Sequence, residues 1–157
     1  MTMATDYALA ALCLVFAWLL AGRRGAGIWV AAFAVTSVAA LAGGTAHGFR
    51  LPLGELWIWV WRATVWAIAG GSLLLIVAGV NAAIRSRAST RHEGILWMKA
   101  AIAVSLTGLA VLLGKLSFHQ HFNQNDLYHV IQMVGLYCLY RGALLLSESD
   151  KLPRTSR

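Results

Sequence analysis

The sequence predicts an all-α fold, a polytopic integral membrane helix bundle with five transmembrane helices, and three observations predict it. Apolar residues make up 59% of the 157 residues and charged residues only 12%, about half the charged share of a soluble domain. The apolar residues are gathered into blocks instead of alternating. Each block approaches the roughly 20 residues that a hydrocarbon layer of about 30 Å demands of a helix. The basic residues, finally, alternate in density from one connection to the next. The whole chain, 1–157, reads as one transmembrane domain with no repeat, linker or low-complexity stretch.

The blocks fall at about 6–22, 27–46, 55–80, 94–114 and 127–146. The first is followed, not preceded, by the basic pair Arg23-Arg24, so it is not a secretory signal. Cys13 near its centre, and Cys138 in the last block, read as small apolar packing residues, since neither has a histidine or charge beside it. The second block closes on "GGTAHGF", which carries His47. The third is entered past Pro52 and Gly54. It opens with Glu55 and is crowded by Trp57, Trp59, Trp61 and Trp66, which read as an interfacial aromatic belt. Arg62 lies two turns beyond Glu55, too far for a direct pair, and is expected to snorkel outward or to meet Asp126 across the bundle. Gly70-Gly71, Gly79 and, in the fourth block, Gly108 read as points of close helix packing.

The net charge of +7 does not point to nucleic acid. Arg23 and Arg24 lie in the first connection, Arg85, Arg87 and Arg91 in the third, and Arg141, Lys151, Arg154 and Arg157 at the C-terminal end. The second connection has Arg50 alone and the fourth Lys115 alone. Five spans place the rich sites on one side, and the positive-inside rule makes that side cytoplasmic, with the N-terminus outside. An inner (plasma) membrane protein in contact with anionic lipid head groups is the expectation.

That topology gives meaning to "SFHQHFNQNDLYHVIQ", residues 117–132. The end of the second span (His47), the start of the third (Glu55), the fourth connection (His119, His121) and the start of the fifth span (Asp126, His129) meet at one depth near the outer face. His92 is on the opposite side and reads as solvated. Asn125, Asp126, His129, Gln132 and Met133 follow 3–4 spacing and are expected to share one helix face. That face must look into the bundle, because an unpaired polar group in hydrocarbon costs several kcal/mol. Asn123 or Asn125 can cap the helix, and Asp126 suits its positive end.

The last block, "NDLYHVIQMVGLYCLYRG", resembles the final helix of the progestin and adipoQ receptors, within the superfamily that includes the alkaline ceramidases. The resemblance implies a seven-helix membrane protein with an internal zinc site that hydrolyses a lipid amide such as ceramide. The site would use a His-x-x-x-His pair, an early-helix histidine preceded four residues earlier by serine, and an aspartate soon afterwards. Here His129 matches the second histidine of the pair, His47 the early-helix histidine, and Glu55 stands for the acidic residue. Asn125 occupies the place of the first histidine, Gly43 that of the serine, and two spans are absent. The resemblance covers residues 125–142, with an echo at 43–55. It implies a reduced, divergent relative whose metal site is rebuilt with Asp126 or His121.

Three function classes follow. In a zinc-dependent hydrolase acting on a lipid amide or ester, His47, His129, Asp126 and His121 supply donors, Glu55 or Asp126 serves catalysis, and Asn125, Gln132 and Arg62 support the site. In a haem b electron carrier, His47 and His129 would be the axial pair. In a non-enzymatic membrane protein, the same His and Asp residues form a structural or pH-sensing network.

Overall fold

The computed structural model describes residues 2–85, 88–117, 119 and 122–148, and these form helices with no strand among them. The elements are α1 (Thr2–Leu20), α2 (Gly27–Gly48), α3 (Arg50–Leu53), α4 (Leu56–Arg85), α5 (Ala88–Leu113) and α6 (Gln124–Glu148). All but α3 are long and apolar enough to cross a membrane. His121, Arg87 and the cations Lys151, Arg154 and Arg157 lie outside the described residues.

The helices extend past the apolar blocks. α4 runs on through Asn81 to Arg85, and α5 starts at Ala88 rather than near residue 94. Hydrophobicity marks the stretch that suits hydrocarbon, whereas helical hydrogen bonding continues until a breaker or a missing partner stops it. α1 stops where Gly22 and Gly25 take φ of 80° and 77°, a conformation that side chains bearing a Cβ resist. α3 is a single turn that ends at Gly54, φ 51°.

In space the long helices follow the order α4, α2, α1, α6, α5, each packed on the next, with α4 and α5 barely touching. α4 and α5 therefore turn most of their apolar surface outward, including Trp66, Leu73, Ile76, Leu106 and Leu113. Apolar exposure on that scale suits acyl chains and not water.

The apolar core lies where α1, α2 and α6 meet. Phe16 is its hub, stacked on Tyr140 at 4.6 Å and edge-on to Phe33 at 5.5 Å, with Cys13, Leu20, Trp29 and Ala143 around it. Both cysteines are free and buried, as packing residues. α1 and α2 also lock through Ser37, whose hydroxyl donates to the Ala10 carbonyl at 2.8 Å. Close glycine packing holds at Gly71, where an added Cβ would stand 2.9 Å from Thr36 Oγ1, and at Gly108, tight against Ile131 and Tyr128. It does not hold at Gly70, which has nothing within 4 Å, because that residue faces out from the α2–α4 seam. Toward residues 2–6 of α1 the core gives way to polar side chains, and there the candidate site begins.

Candidate functional site

Three helix ends meet at one end of the bundle: the start of α1, the end of α2 and the start of α6. α6 opens with a capping box. Asn123 Oδ1 accepts from the backbone N–H groups of Asn125 (2.9 Å) and Asp126 (3.2 Å), and Asp126 Oδ2 accepts from the backbone N–H of Asn123 (3.0 Å). The exchange satisfies donors that helix geometry leaves without partners and sets a carboxylate at the positive end of the dipole.

With Oδ2 held by the cap, Asp126 turns Oδ1 toward α1, where the Thr5 hydroxyl lies 3.2 Å away. Asp126 is 0% exposed. One turn on, His129 faces α1 as well, with Nδ1 3.1 Å from Thr5 Oγ1 and Nε2 3.3 Å from Asp6 Oδ1. Asn123 Nδ2 donates to Thr2 Oγ1 at 3.3 Å. Thr2, Thr5 and Asp6 are thus matched to Asn123, Asp126 and His129, two short polar ladders facing one another.

The Thr5 hydroxyl has one proton and three acceptors in reach: the Thr2 carbonyl at 2.9 Å, Asp126 Oδ1 and His129 Nδ1. When Nδ1 of His129 is bare, Thr5 can donate to it. When Nδ1 carries hydrogen, it donates to Thr5, and the hydroxyl proton is free for Asp126. The state of the imidazole decides which way the hydroxyl turns.

α2 closes the third side with two glycines. A Cβ at Gly44 would stand 2.8 Å from Tyr7 Cε1 and 3.0 Å from Asp6 Cβ, so only glycine lets α2 approach α1 this closely. Gly43 lies beside the carboxylate, where an added Cβ would be 3.7 Å from Asp6 Oδ1. Asp6 is 5% exposed, and its Oδ2 is buried with no hydrogen-bond partner among the described residues. Such an oxygen carries a desolvation cost that requires an explanation. His47, one turn after Gly43, is exposed and packs edge-on to Trp61 at 5.6 Å. Its ring nitrogens have no hydrogen-bond partner among the described residues, and it lies within electrostatic range of Asp126 and His129.

The other residues singled out from the sequence are placed differently. Glu55 sits on an exposed turn before α4 and touches none of these groups. Arg62 lies over the Trp59 ring at 5.2 Å, not against Asp126. Asn125 contributes its backbone N–H to the cap. Gln132 faces α5, accepting from Ser105 at 3.4 Å and donating to Tyr128 at 2.8 Å. At about 100° per residue, two steps of three carry Gln132 roughly 120° round the helix from Asp126, whereas Met133 returns to within about 20°. Met133 accordingly packs against the core.

Asp6 and Thr5 were not singled out from the sequence. The available signal was an acidic residue at the edge of the first apolar block, whose start the charge alternation already sets on the same face as His47 and Asp126.

The model of a family of unknown function (DUF6962) matches residues 1–90 and 72–148. The chain belongs to that family. The matches overlap on residues 72–90, the second half of α4 and the start of α5, and between them they take in every residue of the site. No curated protein and no solved structure matches the chain, so membership of DUF6962 brings no activity with it.

Among the described residues, no group of three or more His, Cys, Asp or Glu side chains stands close enough together to hold a metal ion. Two donors do fit one. Two zinc bonds of about 2.0–2.1 Å at a tetrahedral angle separate their ligand atoms by about 3.3 Å. Asp6 Oδ1 and His129 Nε2 are 3.3 Å apart, longer than the roughly 2.7–2.9 Å of a charge-assisted N–H···O bond. The unpartnered Asp6 Oδ2 belongs to the same carboxylate, and Thr5 holds the far nitrogen of His129 as metal-ligating imidazoles are usually held. Asp126 has an oxygen at the cap and an oxygen at Thr5, which suits it to orienting rather than ligating. A haem pair fits less well, because a carboxylate and not a second imidazole faces His129 Nε2.

Proposed function

We propose that this chain is an integral membrane protein with its N-terminus outside, and that Asp6 and His129 supply two donors to a zinc ion for hydrolysis of an acyl bond in a lipid, with His47, at the same end of the bundle, drawn in as a third only when the ion binds. The observation that carries the reading is the buried Asp6–His129 pair, at ligand–ligand separation with a free carboxylate oxygen. Charge supports it. Two carboxylates, Asp6 and Asp126, are buried in one helix seam, and a divalent cation would offset the charge they carry when ionised. The family resemblance of α6 supports it too, with Asp6 in place of the missing histidine at Asn125. The arginine alternation supports the orientation.

When bound, zinc supplies a water acidic enough to act as hydroxide near neutral pH and polarises a carbonyl. The chain's own residues do the rest. Thr5 fixes the ring of His129 so that Nε2 addresses Asp6. Asp126 orients Thr5 by accepting from its hydroxyl at Oδ1. α2 and α6 shut out bulk water from Asp6. The net reaction adds water across a lipid amide or ester, releasing a fatty acid and an amine or alcohol.

A second reading has its own observation, the Thr5 hydroxyl with alternative acceptors. Protons shared among these groups can take the place of a cation, which describes a pH-sensing network without metal.

Elemental analysis of detergent-purified protein, prepared without chelator, separates the two. The hydrolase reading expects about one zinc per chain, lost in Asp6→Asn and His129→Ala, kept in Asn125→His, and released on acidification as protons compete for the donors. Metal-free wild type at neutral pH leaves the proton network. Reporter fusions after Arg91 and Gln124 test the orientation, with cytoplasmic and then extracytoplasmic signals expected.

A further inference from the structure

The four tryptophans that open α4 divide into two pairs. Trp59 and Trp66 are 64% and 77% exposed, as an interfacial belt requires. Trp57 and Trp61 are half-buried and build something else. Trp57 Nε1 donates to the Ala46 carbonyl at 3.1 Å, tying the ring to the end of α2. Its plane stacks on Trp61 at 6.1 Å and 7°, and Trp61 meets His47 edge-on. The Arg50 guanidinium lies over Trp57, 4.7 Å from the ring centroid. Arg50, Trp57, Trp61 and His47 form one continuous ladder from the short helix α3 to the candidate site.

A guanidinium stacked on a ring keeps its N–H edge free, because all five donors lie in its own plane. Arg50 is exposed and has no ion pair among the described residues. Around it Phe49, Leu51 and Leu56 are 45%, 93% and 65% exposed. A preset cation ringed by apolar side chains matches an amphiphile, with an anionic head on the cation and acyl chains on the apolar rim. The fork geometry of guanidinium favours phosphate.

We infer that Arg50, held on Trp57, binds the phosphate of a phospholipid head group and that this ladder leads the lipid to His47. The ladder deepens the hydrolase reading by naming a phosphate-bearing lipid as the substrate class. Binding itself needs no metal and no turnover. Arg50 is exposed, and among the described residues its side chain makes no hydrogen bond or ion pair, so its replacement should leave the fold intact.

Native mass spectrometry of the full chain in detergent, stripped of metal, reads binding of phosphatidylglycerol, diacylglycerol and glycerol 3-phosphate. Phosphatidylglycerol should be retained and diacylglycerol should not. Arg50→Gln should weaken phosphatidylglycerol about tenfold, the worth of one charge-assisted contact. Lys115→Gln, which removes the other cation from the connections at this end, should change it less than twofold. Equal losses in the two variants would reduce the site to general surface charge and overturn the inference. So would diacylglycerol binding as tightly as phosphatidylglycerol, or glycerol 3-phosphate doing so, which would mark a soluble-phosphate site. Retention by the metal-stripped protein supports the inference whether or not zinc is ever found, so the two proposals fail separately.

Discussion

Asp6 of α1 and His129 of α6 are 123 positions apart in the sequence, yet their side chains meet at 3.3 Å, both nearly buried. This contact and the neighbouring Thr5–Asp126 contact join α1 to α6, a seam that is otherwise modest beside those of α1 with α2 and α5 with α6. The polar pair therefore bears on how the bundle closes as well as on its chemistry.

Removing one member of the pair should cost more than removing both. His129→Ala strands a buried carboxylate and should destabilise the bundle by about 3 kcal/mol or more. The double variant Asp6→Ala, His129→Ala should recover part of that loss. Denaturant unfolding in detergent, followed by circular dichroism, gives the cycle; strictly additive losses would mean that the two residues do not interact.

Thr5 is expected to act through its hydroxyl and not its bulk. Thr5→Val keeps the shape but leaves His129 Nδ1 and Asp126 Oδ1 without their shared partner, costing about 1–3 kcal/mol. If zinc is held, its affinity should fall about 10–100-fold. Thr5→Ser should stay close to wild type in both measurements. Equal behaviour of the Val and Ser variants would assign the position to packing.

Asn123→Ala removes the cap of α6 and should cost about 1 kcal/mol. The loss should be local. Amide hydrogen exchange at Asn125 and Asp126, which donate to Asn123 Oδ1, should quicken while the centre of α6 stays protected. Uniform quickening along α6 would mean that the loss is global and not confined to the capped turn, and no quickening would mean that the cap is dispensable.

The two glycines of α2 should respond differently to alanine. Gly44→Ala drives a methyl into the Tyr7 ring and should cost about 1–3 kcal/mol. Gly43→Ala meets Thr64 Cγ2 at 3.4 Å and Asp6 Oδ1 at 3.7 Å, ordinary contacts, and should remain within about 0.5 kcal/mol of wild type. Thermal melts in one detergent compare them directly.

Phe16→Ala should be the most damaging of the single apolar truncations, at about 3–5 kcal/mol. Its ring touches Phe33 on α2 and both Tyr137 and Tyr140 on α6, so the cavity opens in all three core helices. A loss no larger than that of Leu14→Ala, whose side chain is 60% exposed, would misplace the hub.

The sequence by itself determined the helices and the end of the bundle where polar groups gather. Block length and composition report directly on what each segment can bury. Asn123 as a cap, Asp126 near the dipole and His129 off the outward face are likewise local matters, governed by one helix. Tertiary structure decided the partners. Block boundaries drawn on apolarity began the first span at Asp6 and passed over Thr5, because a residue at the edge of a block has no periodic neighbours to mark its direction. Glu55 was legible as an acid at the right depth, but a turn before α4 carries it to the exposed surface. Gln132 followed the 3–4 pattern and still left the site, since successive three-residue steps drift round the helix. Trp57 and Trp61 parted from Trp59 and Trp66 only once α2 lay against α4. Each of these outcomes depends on which neighbour covers a helix face, and that is set by packing between segments far apart in the chain.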